Sequence, residues 1–374
     1  MIKTILANCI EKLNENISNP CPEKAWIGFD GFVDKIQKII KIQTPENTEY
    51  FKQISDFGQL ILDSAGKSAG IGISTIEVKL GGNGPLMANS LAAAGIQNYC
   101  VGAMGYPDLH PAFKHLNPNC KINSYAFPAE TDALEFQDGK IMLNHSGVFR
   151  IVDWKLMKER LGMNFFIRSC TESKLIALVD WANLAHCTKI WEEFANEVHA
   201  NIPNSDRLFF FDLADPTKKG VDQLIEVFKI IGKYRKFGKV VLGLNENEAL
   251  KVHAAFEYKA FENQNKEYNL AQIGKKVFEN IDVDWLFIHP TNRSLGISKD
   301  SCFELPGKYI SNPIISTGGG DNFNAGLCFG LLNNFSIEES MVYAMATSGA
   351  YVSMGYSPTV AEVLKYIKNW LTEI

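Results

Sequence analysis

The sequence predicts an α/β fold with a mostly parallel central sheet, helices on both of its faces, and a small β-sheet lid. Short, strongly apolar runs bounded by polar or glycine residues recur along the chain, as expected for strands buried on both faces of a sheet. Helical patterns lie between these runs, and this alternation indicates parallel pairing. Two other segments alternate apolar and polar residues, which indicates a sheet with one solvated face.

The individual elements follow from local patterns. Residues 1–20 form an amphipathic helical pattern that ends near Asn19-Pro20. Helices are also predicted where apolar residues recur three and four positions apart, at 85–94, 188–199, 221–233 and from Asp321 to Leu332. Buried strands are predicted at the apolar runs, which are residues 25–29, 99–105, 175–180, 208–212, 240–244 and 285–289. Residues 145–175 are polar and mixed and carry no clear pattern.

The two alternating segments predict a lid. Residues 71–80 and 121–144 alternate in polarity, and the Asp-Gly pair at 138–139 is typical of a hairpin turn. We expect these segments to form a small antiparallel sheet that stands off the main body. The chain is therefore predicted to be a single α/β domain over residues 1–374, with lid segments at about 35–80 and 121–144.

Composition narrows the class of protein. The chain has 374 residues, with 42 acidic against 37 basic ones and no dense basic run that would indicate a nucleic-acid partner. No stretch approaches the ~18 apolar residues of a membrane span, and the N-terminal apolar run is too short for a signal peptide. The eight cysteines have no metal-binding or redox spacing, so reduced thiols and a cytoplasmic location are expected.

The densest chemical signal is a glycine turn that leads into a predicted helix. Thr317 is followed by Gly318, Gly319 and Gly320, and then by Asp321. Glycines permit a sharp turn that presents backbone N–H groups, and the N-terminus of a helix favours anions. The turn is therefore a candidate cradle for a phosphoryl group.

This turn is open to three interpretations. In the first, Asp321 is only the N-cap of a helix. The second, a dinucleotide fingerprint, requires glycine at position 323, where Phe stands, and an acidic residue about twenty positions on, where Met341 stands. In the third, the carboxylate accepts a proton from an attacking hydroxyl group while the glycine amides stabilise the developing charge. The spacing disfavours the second interpretation, and the turn alone leaves the other two open.

A second candidate site follows the apolar run at 240–244. Asn245 and Glu248 are three residues apart at a strand-to-helix junction, the edge at which open α/β sheets bind ligands. Their oxygen atoms suit a hydrated Mg²⁺ ion. The same spacing also suits a helix capping box, so both interpretations stay open.

Two further motifs are candidates for substrate contact. Gly82 permits close approach by a ligand, and Asn83 offers both donors and an acceptor. Asp30 and Asp34 follow the first apolar run, where carboxylates suit hydrogen bonds to vicinal hydroxyl groups of a sugar. A tight turn is the alternative for the first motif, and solvated turn residues are the alternative for the second.

Taken in order, these motifs resemble those of the ribokinase-like (PfkB) carbohydrate kinases, and the resemblance covers most of the chain. The family's aspartate after the first strand, its Gly-Gly-Asn run and its Asn-x-x-Glu pair have counterparts in Asp34, Asn83 and Asn245. Its Gly-Ala-Gly-Asp motif, the most specific of the set, has a counterpart in the turn that ends at Asp321. The alternating segments correspond to the family's lid.

The resemblance implies an enzyme that moves the γ-phosphate of ATP to a hydroxyl group of a sugar or sugar-like molecule. It implies that Asp321 is the general base, that the amides of residues 318–320 form the anion hole, and that Mg²⁺ is required. The implied contacts are Asp30, Asp34, Gly82 and Asn83 for the substrate, Asn245, Glu248, Thr317 and Gly349 for the nucleotide, and Asn245 and Glu248 again for Mg²⁺ through water.

The resemblance leaves several properties open. A monovalent-cation requirement and a homodimer formed through the lid are compatible with it. A nucleoside kinase on the same scaffold and a catalytically silent sugar- and nucleotide-binding protein are the alternative functions. The loop after 208–212 lacks an arginine that often meets phosphate in the family, and Lys218 is the candidate to replace it. Asp180 and Asn183 lie at a predicted strand end, where they are candidates to influence substrate choice.

Overall fold

The structure is a computed structural model that describes residues 1–203, 206–257, 268–315 and 317–374. The described helices are α1 (Ile2–Ser18), α2 (Ile54–Asp63), α3 (Asn83–Ala93), α4 (Trp154–Leu161), α5 (Met163–Thr171), α6 (Cys187–Glu197), α7 (Val221–Lys233), α8 (Glu246–Phe256), α9 (Leu270–Glu279), α10 (Gly319–Leu332), α11 (Ile337–Met354) and α12 (Val360–Glu373). The described strands are β1 (Ala25–Phe29), β2 (Phe32–Gln43), β3 (Thr48–Tyr50), β4 (Ile73–Gly81), β5 (Asn98–Gly102), β6 (Cys120–Ser124), β7 (Ala129–Phe136), β8 (Gly139–His145), β9 (Leu175–Leu178), β10 (Arg207–Asp212), β11 (Gly238–Asn245), β12 (Trp285–His289), β13 (Arg293–Ile297) and β14 (Cys302–Pro306).

A central sheet forms the body of the described chain, in the strand order β14-β13-β12-β11-β10-β9-β1-β5-β6. Pairing is parallel from β6 to β12, and β13 and β14 extend the sheet in antiparallel fashion. Each apolar run that predicts a buried strand lies in this sheet. The predicted fold class is therefore confirmed.

Two apolar clusters cover the two faces of the sheet, because successive side chains of a strand point to opposite sides. In β1, Trp26 belongs to one cluster and Ile27 to the other. The Trp26 cluster packs against α4 to α9, and the Ile27 cluster packs against α1, α3 and α10 to α12. Residues 145–175, which carry no clear sequence pattern, form a 3-10 turn, α4 and α5 and bury Trp154 and Phe166 beside Trp26.

The lid is a separate sheet made of β2, β3, β4, β7 and β8. β2 pairs with β4 in antiparallel fashion but with β7 in parallel, so the prediction of a purely antiparallel lid is wrong. After β4 the chain leaves the lid and passes through β5 and β6 of the central sheet before it returns. Strand β7 therefore enters the lid from the same end as β2. The Asp-Gly pair at 138–139 does join β7 and β8 as a hairpin.

The predicted start of the second lid segment, at residue 121, also differs from the structure. Residues 120–124 form β6, which pairs with β5 at the edge of the central sheet. Because β6 is an edge strand, it is partly solvated, and its residues alternate in polarity as those of a lid strand do. The second lid segment begins with β7 instead.

The sequence predicts reduced thiol groups and no membrane span, and the structure describes the cysteines and helices to which these expectations apply. All eight cysteines are free, and six of them are buried, while Cys21 is half-buried and Cys302 is exposed. Across the described ranges, the helices are all too short or too polar to cross a bilayer.

Candidate active site

Polar side chains collect along one edge of the central sheet. Asp30 follows β1, Asp180 follows β9 and Asp212 ends β10, and these three strands are parallel neighbours. Asn245 and His289 end the next two parallel strands, β11 and β12. Because the carboxyl ends of parallel strands meet at one edge, these residues lie in a row where open α/β sheets bind ligands.

The glycine motif at residues 81–84, which leads into α3, makes room for two buried carboxylates. A Cβ atom on Gly81 would lie 2.5 Å from Asp34 Oδ2, and a Cβ atom on Gly82 would lie 2.6 Å from Asp30 Oδ2. Gly82 also has a φ of +95°, which is a left-handed conformation that favours glycine. The sequence predicts close approach to these glycines by a ligand, and the structure shows that two aspartates already approach them closely.

Asp30 and Asp34 have different surroundings. Asp30 is 1% exposed, and its Oδ1 accepts a hydrogen bond from the N–H of Gly84 at 2.7 Å, so it anchors the start of α3. Asp34 lies in β2, opposite Lys79 of β4 and Thr131 of β7, and lines the cleft between lid and body. Both sequence candidates therefore reach the site, Asp30 at the glycine motif and Asp34 at the cleft wall.

The buried acids give this edge a concentrated negative charge. Burial raises the pKa of Asp30 to about 7, and the nearby Asp212 carboxylate contributes to the rise. The pKa of Asp180 is raised well above its ordinary value, first by burial and then by Asp30. The Oδ2 atoms of Asp30 and Asp180 have no hydrogen-bond partner in the described part of the chain. Because both oxygens are inaccessible to solvent, the protonated form of each carboxyl group is favoured, in line with the raised pKa values.

Asp212 connects the glycine motif to the helix that carries Asp321. Its Oδ1 accepts a hydrogen bond from Asn83 Nδ2 at 3.2 Å, and its Oδ2 accepts one from Asn324 Nδ2 at 2.9 Å. Asn324 lies one helical turn after Asp321 in α10. Asp212 is absent from the site residues predicted by sequence, although its position at the end of the apolar run 208–212 is a signal of a ligand-binding edge.

In the described part of the chain, no side chain caps the start of α10 at the glycine turn. Gly318 is the N-cap residue, with a φ of +89°, and Asp321 lies inside the first turn. The N–H of Asn322 donates to the carbonyl of Gly318 at 3.0 Å, so the N–H groups of Gly319 and Gly320 precede the helical hydrogen-bond ladder. The interpretation of Asp321 as an N-cap is therefore excluded, and the turn has the amides that an anion cradle requires.

Asp321 is half-buried, and the pKa of its carboxyl group is raised well above the ordinary value. Burial is the largest cause, and the carboxylates of Asp212, Asp30 and Asp34 add to it. A carboxylate with a raised pKa accepts a proton more readily than an ordinary surface carboxylate does.

The glycine turn is held from two sides. From the body, the Tyr351 hydroxyl donates to the Thr317 carbonyl at 2.9 Å, and the Ser348 hydroxyl donates to the Gly319 carbonyl at 2.8 Å. From the lid, Lys140 Nζ donates to the Thr317 hydroxyl at 2.7 Å. No contact with the glycine turn is predicted from sequence for Tyr351, Ser348 or Lys140, because each reaches the turn from a distant part of the chain.

Gly349, which the resemblance places beside the nucleotide, is buried in α11. A Cβ atom on Gly349 would lie 2.3 Å from the hydroxyl oxygen of Tyr366, which belongs to α12. Close packing of α12 on α11 is thus a sufficient reason for the glycine. A nucleotide contact by Gly349 stays a prediction.

Asn245 and Glu248 form the capping box of α8. The N–H of Glu248 donates to Asn245 Oδ1 at 2.9 Å, and the Glu248 carboxylate accepts from the backbone N–H and Nδ2 of Asn245 at 2.9 and 2.7 Å. The pKa of Glu248 is raised well above its ordinary value by burial, with contributions from Asp212, Asp215 and Asp321.

This donor set is compatible with Mg²⁺. Carboxylate and amide oxygens are its preferred protein ligands, and Mg²⁺ commonly keeps several waters and binds substrate phosphates. In the described residues, no group of three or more His, Cys, Asp or Glu side chains is placed to hold a metal ion directly. A role of Asn245 and Glu248 through bound water therefore stays a prediction.

A cleft of 1110 Å³ lies between the lid and the body next to the glycine turn. Asp34, Lys79 and Lys140 line it on the lid side, and Thr317 and Tyr351 line it on the body side. Its volume slightly exceeds the range for small-molecule sites, which is about 300–1,000 Å³. The cleft therefore has room for more than one small ligand.

Known proteins resemble the chain over nearly its whole length. Residues 2–370 match the family model described as prokaryotic ketohexokinase. A ketohexokinase from Haloferax volcanii is 22% identical over 370 residues, which are 97% of this chain and 95% of that protein. Since the family match covers more than half of the chain, the chain belongs to the prokaryotic ketohexokinase family.

Solved structures show the same fold. A ribokinase from Thermotoga maritima superposes with a TM-score of 0.62 at 16% identity, over 93% of this chain and 100% of that one. An adenosine kinase from Sinorhizobium meliloti has a TM-score of 0.64 at 15% identity, over 93% of this chain and 99% of that one. The predicted identification as an ATP-dependent, ribokinase-like carbohydrate kinase is therefore confirmed by the family match and the fold.

Proposed function

We propose that this member of the prokaryotic ketohexokinase family transfers the γ-phosphoryl group of ATP to a hydroxyl group of a ketohexose, with Asp321 as the general base. The choice of a ketohexose rests on the family match and on the name of the Haloferax volcanii relative. The observation that supports the catalytic assignment best is the position of Asp321 in the first turn of α10, beside uncapped glycine amides.

The sugar would lie between Asp34, Asn83 and the glycine turn. Asp34 lines the cleft, and Asn83 is half-buried and is oriented by its hydrogen bond to Asp212. Carboxylate and amide oxygens at these positions accept hydrogen bonds from sugar hydroxyl groups, and the Asn83 amide can also donate. Asp30 supports this arrangement because its Oδ1 accepts a hydrogen bond from the backbone of the glycine motif.

The chemical step needs a proton acceptor and an anion cradle. Asp321 removes the proton from the attacking hydroxyl group as that oxygen bonds to phosphorus, and ADP leaves with the electrons of the broken bond. The N–H groups of Gly319 and Gly320 face the charge that develops on the phosphoryl oxygens. When bound with ATP, Mg²⁺ would lower the charge repulsion among the phosphates, and Asn245 and Glu248 would hold its waters.

The lid would exclude water from the reacting groups. Transfer to a sugar competes with hydrolysis of ATP, so a closed cleft favours the sugar hydroxyl group as acceptor. Contact between Lys140 of the lid and Thr317 of the body gives one point of closure. A monovalent-cation requirement and a homodimer through the lid stay predictions of the resemblance.

An assay of ADP release tests both the substrate and the base. Wild-type protein with Mg²⁺ and ATP is expected to act on a ketohexose such as fructose more than tenfold better than on aldohexoses, ribose or nucleosides. Asp321→Asn should lower kcat by ~10²–10⁴-fold with a small change in the sugar KM, because general-base help is lost while hydrogen bonding is kept.

The pH profile gives a second readout. Asp321 must be deprotonated to act, so kcat/KM should rise with pH through its raised pKa, and this limb should be absent in Asp321→Asn. Activity within a few-fold of wild type in Asp321→Asn would refute the base assignment. Nucleosides as the best acceptors would instead support the nucleoside-kinase alternative, and ligand binding without any turnover would support a silent binding protein.

A further inference from the structure

Lys140 is a lid residue whose ammonium group reaches the glycine turn. It follows the hairpin turn at the start of β8, and its side chain is 25% exposed. Nζ donates to the Thr317 hydroxyl at 2.7 Å and lies 3.3 Å from a carboxylate oxygen of Glu135, its cross-strand neighbour in β7. An ammonium group has three donors, so one N–H remains for a ligand.

The charge around the cleft shows why a cation is needed at this place. The Asp321 carboxylate is surrounded by Asp212, Asp30 and Asp34, all of which disfavour additional negative charge nearby. The phosphates of ATP bring several more negative charges into the same region. Lys79 and Lys140 are the cations that act on Asp34, and Lys140 also contacts the turn itself.

The two lysines in the loop after β10 are engaged elsewhere. Lys218, the sequence candidate for phosphate contact, donates to Asn183 Oδ1 at 2.6 Å. Lys219 donates to the Leu184 carbonyl at 2.8 Å, and its Nζ lies 4.4 Å from the centre of the Trp181 ring. These contacts point Lys218 and Lys219 toward the Asp180 end of the edge rather than toward the glycine turn.

We propose that Lys140 is a further catalytic residue, which enters the site with the lid and donates a hydrogen bond to the phosphoryl group during its transfer. The inference rests on the proposed function, since it assigns a role within the same reaction. Lys140 takes no part in proton transfer: the phosphoryl group passes from ATP to the sugar oxygen, ADP leaves with the electrons of the broken bond, and the hydroxyl proton passes to Asp321. Its role is to stabilise charge that grows on the phosphoryl oxygens in the transition state.

This role couples catalysis to closure. Lys140 and Glu135 belong to the lid, whereas Thr317 belongs to the body, so the three groups meet only when the lid lies over the cleft. An open lid removes the cation from the turn, which slows phosphoryl transfer while the cleft is accessible to water. The hydroxyl group of Thr317 guides Nζ to the place that the phosphoryl oxygens occupy.

The test compares Lys140→Met, which keeps the length of the side chain but lacks the charge, with Lys38→Met, a matched lid variant. Lys38 is exposed near the middle of β2, and its ammonium group lies over the ring of Tyr50 in β3, so its loss should leave kcat unchanged. Lys140→Met should lower kcat by about 10²-fold, as expected for loss of one transition-state donor, with a smaller change in the sugar KM. Lys140→Arg should recover part of this loss because it keeps the charge.

A second pair of variants distinguishes a direct role of Lys140 in phosphoryl transfer from a role in holding the lid closed through Thr317. Thr317→Val removes the anchor but keeps the ammonium group, so it should cost less than Lys140→Met, and adding Lys140→Met to Thr317→Val should still lower kcat by more than tenfold. No further loss in the double variant would overturn the proposal, because Lys140 would then act only through Thr317. A kcat of Lys140→Met within threefold of wild type would overturn it as well, with the proposed function intact. Absence of sugar-dependent ADP release by wild-type protein would overturn both.

Discussion

Replacing Gly81 by Ala places a methyl group where the Asp34 carboxylate now lies. A Cβ atom at this position would be 2.5 Å from Asp34 Oδ2 and 2.6 Å from its Oδ1. Ordinary contacts of a Cβ atom begin near 3.4 Å, so the carboxylate must move by about 0.9 Å. Gly81 is the buried end of an otherwise exposed or half-buried β4 and pairs with Phe32 of β2, which limits how far the backbone can yield instead.

A displacement of this size has a calculable kinetic cost. Misplacing a positioning group by about 1 Å can cost about 10²-fold in rate, which corresponds to about 2.7 kcal/mol of transition-state stabilisation. If Asp34 holds the sugar, the loss should fall on kcat/KM for the sugar, while the KM for ATP should change by less than threefold. Overpacking also destabilises the fold by about 1–3 kcal/mol, so melting temperatures must be measured alongside the kinetics.

Steady-state kinetics with varied sugar and varied ATP provides the assay, and Gly58→Ala is the matched control. Gly58 lies in the lid helix α2 with nothing within 4 Å of its Cβ position. Its replacement should leave both KM values unchanged and should slightly stabilise the helix. A Gly81→Ala protein that folds and keeps kcat/KM within threefold of wild type would refute the assignment of Asp34 to the sugar.

A double variant checks the physical cause. In an Asp34→Ala background the clashing carboxylate is gone, so Gly81→Ala should add less than a threefold further loss. Independent, multiplicative losses would show that Gly81 acts on the reaction by another route. The sign of the coupling therefore tests the steric argument separately from the functional one.

Two further predictions concern stability. Because the pKa of Asp30 is raised from 3.8 to about 7 in the folded state, the folded chain holds this proton more tightly, and stability should fall as pH rises through that interval. The Asn side chain in Asp30→Asn cannot ionise. In urea unfolding, the stability of this variant relative to wild type should therefore increase by about 3 kcal/mol between about pH 5 and pH 8. A difference independent of pH would contradict the burial argument. The Ser336 hydroxyl group accepts a hydrogen bond from the N–H of Glu339 at 3.1 Å in the capping box of α11. Ser336→Ala should therefore lower the free energy of unfolding by about 1 kcal/mol in the same assay. A change in kcat of more than twofold would show that the cap also affects the glycine turn.

The sequence predicts the central sheet well because its signals are local. An apolar run such as 208–212 is buried on both faces wherever it lies in a parallel sheet, and the helices between the runs show their own periodicity. The lid is predicted less well. Its existence follows from alternating polarity, but β6 has the same pattern for a different reason, and the parallel pairing of β2 with β7 depends on the path of the whole chain.

Local motifs identify the glycine turn but not the residues that hold it. Lys140 and Thr317 are 177 positions apart, and Asp212 and Asn324 are 112 positions apart, so no spacing in the sequence connects them. Asn245 and Glu248 are close in sequence and are identified from it, but their role is not. The capping box that the structure contains and the Mg²⁺ site that the resemblance implies use the same two side chains, so neither sequence nor geometry alone separates the two roles.

The same contrast clarifies the glycine motif at residues 81–84. From sequence, its glycines are places for a ligand to approach, whereas the structure fills two of those places with Asp34 and Asp30. The motif therefore lets acidic groups pack tightly beside Asp321, where burial and mutual repulsion raise the pKa of Asp30 and of Asp321 itself. Such crowding destabilises the folded chain and favours any cation that enters the cleft. Mg²⁺ would offset part of the negative charge that ATP brings to this place, and the Lys140 ammonium group would offset part of the remainder, so ligand binding and lid closure should each favour the other.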